Sequence, residues 1–131
     1  MKPSFLLDSS ACIPVLRNKA GIGKLPDPKL TGIPVIVAAE LWTGVKKNMD
    51  THPHHAARLE AFLDLFVLAD FDIEAALHYA DIRATLEAAG KSIGPLDLLI
   101  AAQARSLGAT LVTSNVAEFK RVKGLKVLAW K

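Results

Sequence analysis

Apolar positions along the chain fall alternately into short runs and helical stripes, the pattern of strands interleaved with helices. Phe5-Leu6-Leu7 reads as a strand that stops at Asp8, with Ser9 or Ser10 as the N-cap of a helix reaching Arg17. Gly21 to Gly32, carrying Pro26 and Pro28, reads as a surface loop. A second strand is predicted between Leu30 and Val37, followed by a helix from near Val37 to Lys47. Behind Pro53, Ala56, Leu59, Phe62 and Leu63 recur at intervals of three and four and predict a third helix. Phe66-Val67-Leu68 predicts a strand, and Ile73 to Ala89 a long helix stopped by Gly90. A further helix opens at Pro95 and is stopped by Gly108, before the strands Thr110-Leu111-Val112 and Lys126-Val127-Leu128.

This alternation implies right-handed crossovers and a three-layer α/β/α sandwich with a mostly parallel central sheet. At 131 residues the chain has the size of one domain, expected to span residues 1–131. Its 51% hydrophobic content favours a sheet covered on both faces. No apolar run approaches the ~20 residues needed to cross a bilayer. The N-terminus lacks the apolar core of a signal peptide, and the lone Cys12 has no disulfide partner, so a cytoplasmic location is expected. Sixteen basic against thirteen acidic residues is a mild excess, compatible with a polyanionic partner but decisive of little. Lys120, Arg121, Lys123, Lys126 and Lys131 suit either a phosphate path or a solvated surface.

Three acids depart from the pattern. Asp8 ends an apolar run, Glu40 interrupts Val35-Ile36-Val37-Ala38-Ala39-Glu40-Leu41-Trp42, and Asp97 sits one turn into the apolar helix that Pro95 opens. A carboxylate beside a low-dielectric core costs several kcal/mol unless a cation or dipole meets it. Singly, each acid has a local explanation: an N-cap for Asp8, a surface helical acid for Glu40, and a first-turn acid on the helix dipole for Asp97. Together they point to one shared cation. Carboxylates without a matching His or Cys set are hard ligands suited to Mg2+ or Mn2+. Beside a phosphodiester, such an ion stabilises charge on phosphoryl oxygens and acidifies water, so hydrolysis is the natural reaction class.

The ordered segments Phe5-Leu6-Leu7-Asp8-Ser9-Ser10, Ala39-Glu40-Leu41-Trp42-Thr43-Gly44-Val45, Ile93-Gly94-Pro95-Leu96-Asp97-Leu98-Leu99-Ile100-Ala101-Ala102 and Gly108-Ala109-Thr110-Leu111-Val112-Thr113-Ser114-Asn115 carry a family likeness nearly from end to end. Glu118-Phe119, Val122, Gly124-Leu125 and Trp130 complete it. The chain resembles the PIN-domain ribonucleases, specifically the VapC toxins of type II toxin–antitoxin pairs. The resemblance implies a metal-dependent endoribonuclease with Asp8, Glu40 and Asp97 as catalytic and metal-site acids. Asn115 stands at a fourth position that is Asp in many members, and would act on the metal more weakly, through water. The likeness further implies an RNA substrate, contacts to it from Ser9, Thr113 and Asn115, a homodimer, and a cognate antitoxin whose peptide lies over the acidic site.

Two other readings stay open. One is a PIN-like module that binds RNA or protein without catalysis, with Asn115 as the sign of decay. The other is an Asp-dependent phosphatase with Asp8 as nucleophile, which should carry a second acid where Ser10 stands. His52, His54 and His55 look like an exposed helix entrance rather than a metal site. Cys12 reads as a small buried hydrophobe, Trp42 and Trp130 as packing residues, and Arg83 as the surface partner of Glu87 four residues on.

Overall fold

The computed structural model describes residues 2–17 and 21–130, so Lys131 of the basic cluster lies outside the described residues. Among those residues, five strands pair in parallel: β1 (Phe5–Leu7), β2 (Thr31–Pro34), β3 (Val67–Ala69), β4 (Thr110–Thr113) and β5 (Lys126–Ala129). Their order is β3-β2-β1-β4-β5. Six helices connect them: α1 (Ser9–Leu16), α2 (Val35–Lys47), α3 (His55–Leu63), α4 (Ile73–Ala88), α5 (Pro95–Leu107) and α6 (Val116–Phe119). The mostly parallel sheet of the sequence reading is therefore a wholly parallel one.

Register follows from burial. Leu6 stands beside Gly32 on one flank and Leu111 on the other, and Leu6, Leu7, Ile33, Leu111 and Val112 are almost fully buried. Central strands covered on both faces need apolar residues at consecutive positions, which these short runs provide. Gly32 is a packing requirement, since a Cβ there would come within 3.0 Å of Leu6 Cδ2 and 3.2 Å of the Val67 carbonyl oxygen. Helices α1, α2 and α3 touch one another, while α4 lies along α5. With right-handed crossovers, the connections that step outward from β1 to β3 and those that return to β4 and β5 fall on opposite faces. The sheet changes direction between β1 and β4, and crevices at such a switch point are where open α/β sheets bind ligands.

Several boundaries differ from the sequence reading. Helix α2 begins at Val35, two residues early, because the unbroken run Ile33-Pro34-Val35-Ile36-Val37 carries no change of period to mark the strand–helix junction. Asp8, not Ser9 or Ser10, is the N-cap of α1: its side chain accepts from the Ala11 amide. The stretch from Gly21 contains two 3-10 turns, and β2 already begins at Thr31. Helix α6 was unforeseen, being too short for periodicity to reveal. Gly108 closes α5 with φ +65°, and Gly90 follows α4 with φ +67°, both in the left-handed region expected of them.

Candidate metal centre

Asp8 follows β1 directly, so the sheet fixes its backbone and two hydroxyls fix its side chain. It is 4% exposed. Its Oδ1 accepts from Ser10 Oγ at 2.6 Å and from the Ala11 amide at 3.1 Å, and its Oδ2 accepts from Thr113 Oγ1. Thr113 ends β4, is fully buried, and accepts from the Asn115 amide at 2.9 Å. Ser10 Oγ accepts in turn from the Ser114 amide at 2.9 Å. The neighbouring strands β1 and β4 thus deliver one carboxylate and the turn that anchors it.

Glu40 approaches from α2 and Asp97 from the first turn of α5, two helices that touch each other. One Glu40 oxygen, Oε1, is buried without any hydrogen-bond partner. Burial and then the charge of Asp8 push its carboxyl above the usual range. Asp97 is pushed up to about 6, first by burial and then by Glu118, with Asp8 and Glu40 adding to the repulsion. The three predicted acids therefore share one electrostatic environment. Among the described residues, no ion pair supplies a basic partner to any of them.

A fourth acid joins them. Glu118 lies on α6, where its Oε1 accepts from the Gly94 amide at 3.0 Å and its Oε2 from Asn115 Nδ2 at 2.6 Å. The Gly94 amide holds its carboxyl below the usual range, assisted by hydrogen bonds from Asn115 and Asp97 and by the charge of Arg121. Glu118 belonged to the family likeness but not to the candidate site residues. The available signal was the Asn115-x-x-Glu118 spacing, a capping-box pattern in sequence; in the structure the capping bonds are not made, and Glu118 instead meets the Asn115 side-chain amide and the Gly94 amide. A carboxylate has no proton to give, so the Asn115 amide nitrogen faces Glu118 and its oxygen is left free.

An all-oxygen donor set, an orphaned buried carboxylate oxygen and mutual repulsion among Asp8, Glu40 and Asp97, none of which is ion-paired among the described residues, suit a hard divalent cation. No three Asp, Glu, His or Cys side chains among the described residues close into a ready ligand cage.

The other candidates lie elsewhere or are spent internally. Ser9 is half-buried with no side-chain hydrogen bond among the described residues, and Asn115 is exposed. Arg83 pairs with Glu87 at 2.9 Å on the surface, and His52, His54 and His55 are exposed. Cys12 is fully buried, and burial, then the charge of Asp8, push its thiol up, which makes it unreactive. Trp42 and Trp130 pack against the core. A groove of about 410 Å³ opens beside Glu40 between α1, α2 and α3, with Ile13, Leu16, Leu41 and Leu59 along it and Arg17 and Arg58 among its polar groups.

The chain is similar over nearly its whole length to known proteins. The PIN domain family model matches residues 5–125. The chain is 34% identical over 135 aligned positions to the tRNA(fMet)-specific endonuclease VapC of Shigella flexneri, covering 96% of this chain and 97% of that protein. It is 33% identical over 131 positions to ribonuclease VapC2 of Rickettsia felis, again covering 96% and 97%. In three dimensions it matches a chain of DNA-bound VapBC from Salmonella typhimurium with a TM-score of 0.91 and 32% identity, over 98% of this chain and 99% of that one. VapBC2 from Rickettsia felis, bound to a promoter DNA fragment, matches with a TM-score of 0.87 and 32% identity, over 97% and 98%. With the family model matching residues 5–125 and relatives above 30% identical over nearly its whole length, the chain belongs to the PIN-domain family, in its VapC ribonuclease branch.

Proposed function

We propose that this chain is a Mg2+- or Mn2+-dependent endoribonuclease, the toxin of a toxin–antitoxin pair, acting in the cytoplasm. The observation that carries the metal dependence is that Asp8, Glu40 and Asp97 repel one another, have no ion-pair partner among the described residues, and leave a Glu40 oxygen unsatisfied. Asp8, Glu40 and Asp97 would hold the cation, with Glu118 behind Asp97 and the free oxygen of Asn115 at the rim. A divalent cation bound there neutralises charge on the scissile phosphate and acidifies water. Asp8 is held rigidly by its two hydroxyl donors, so its orientation is set before substrate arrives. Asp97 sits at the positive end of α5, which offsets part of the repulsion from its neighbours.

Purified protein should cut cellular RNA in Mg2+ and lose that activity in EDTA, regaining it when Mg2+ or Mn2+ is restored. RNA-end mapping after expression checks the activity and names the target together, and fractionation of the same cells locates the protein. Cleavage that persists in EDTA would remove the metal from the proposal. Retained metal binding with no cleavage of any RNA would favour the non-catalytic module instead.

Two partners follow from the same reading. The groove beside Glu40 is the proposed seat of an antitoxin segment, and co-expression of the neighbouring gene's product should silence cleavage. A second copy of the chain is proposed to cover α4, where Ile73 and Leu77 lie one turn apart and are 71% and 59% exposed. Ile73→Lys with Leu77→Lys should convert the dimer to monomer in sedimentation analysis, and an unchanged dimer would place the interface elsewhere.

A further inference from the structure

Ser10 has a hydroxyl that neither caps a helix nor faces the acids at random. Its Oγ accepts from the Ser114 amide at 2.9 Å, which leaves its single proton for the Asp8 Oδ1 at 2.6 Å. A parallel relay runs from the Asn115 amide through Thr113 Oγ1 to Asp8 Oδ2. The two hydroxyls stand 3.3 Å apart, with both protons committed to the carboxylate. Consecutive amides of the β4–α6 turn are thereby tied to the two oxygens of one side chain on the adjacent strand. The contact from Ser10 to Ser114 spans 104 residues of sequence, so it joins elements rather than shaping a local turn.

We propose that Ser10 is a positioning residue that selects which oxygen of Asp8 is offered to a divalent cation. This rests on the metal-centre reading given above. An ionised carboxylate oxygen has about two lone-pair sites. Oδ1 uses both, for Ser10 and for the Ala11 amide, whereas Oδ2 uses one, for Thr113. Asp8 is therefore a one-oxygen ligand through Oδ2, and Ser10 keeps Oδ1 out of competition. The same hydroxyl holds the turn that leads into Asn115 and Glu118, so it also fixes those groups relative to Asp8. Partners that orient metal ligands in this way typically contribute about 10- to 100-fold in metal affinity.

The test is Mn2+ titration calorimetry on wild type, Ser10→Ala and Ser10→Thr, with the melting temperature of each metal-free protein recorded alongside. Expected are a Kd for Mn2+ raised about tenfold or more in Ser10→Ala and near-wild-type affinity in Ser10→Thr, whose hydroxyl can make both bonds. The Mg2+ concentration for half-maximal cleavage should rise in parallel. Should the alanine variant not fold, the near-isosteric pair Ser10→Thr and Ser10→Val makes the same comparison. Wild-type Mn2+ affinity in a folded Ser10→Ala, or equal affinities in the Thr and Val variants, would overturn the positioning role alone. Absence of Mn2+ binding by wild type would instead overturn the metal centre, and this role with it.

Discussion

Asp97→Asn is expected to reduce RNA cleavage by about a thousandfold or more while raising the stability of the metal-free protein above pH 6. The rate effect follows from losing a charged ligand to the cation: several kcal/mol of transition-state stabilisation corresponds to about three powers of ten. The stability effect has the opposite sign because Asp97, without metal, is a strained acid. Its carboxyl titrates near 6 in the folded protein against 3.8 for the ordinary group. Between those values the folded state holds a proton that the unfolded state has released, so stability falls as pH rises through the interval and stays lower above it. Asparagine mimics the protonated side chain and escapes that loss. Urea unfolding in EDTA should show the two proteins alike below pH 4, with the variant more stable above pH 6. Added Mg2+ should reverse the order by stabilising wild type alone.

Asp8→Ala is expected to abolish cleavage as well, but with a fall in stability of about 2–4 kcal/mol. Two losses combine. The N-cap of α1 disappears, at a cost of about 1 kcal/mol, and the buried hydroxyl of Thr113 loses its acceptor while Ser10 loses one, at about 1–3 kcal/mol more. A lower urea midpoint with an unchanged slope is the expected signature. Asp8 and Asp97 would then be told apart by the sign of their stability effects although both silence the enzyme. Equal stability changes would mean that the hydroxyl clamp around Asp8 contributes nothing to the fold.

This division between the two acids was only half legible in the sequence. The placing of Asp8, Glu40 and Asp97 against apolar runs exposed them as acids in need of a counter-charge, and alternating strands and helices carried them to one end of a parallel sheet. Burial is written into local sequence, since a charge among Leu and Val residues stands out. Hydrogen-bond partners are not. Ser10 and Thr113 read equally well as capping, strand-end or substrate-contacting residues, because nothing local records that β1 and β4 lie side by side. Glu118 escaped notice as a site residue because an acid among exposed residues near a basic cluster looks solvated, and only α6 turns it toward Gly94. The early start of α2 had the same origin, an apolar run with no change of period at Pro34.

Titration of Mn2+ into the metal-free wild-type protein, followed by electron paramagnetic resonance of the free ion, tests most directly whether these carboxylates form a cation site. Saturable binding is expected in wild type, together with its loss in Asp97→Asn. Free Mn2+ that rises in proportion to the amount added, with no difference between the two proteins, would contradict it.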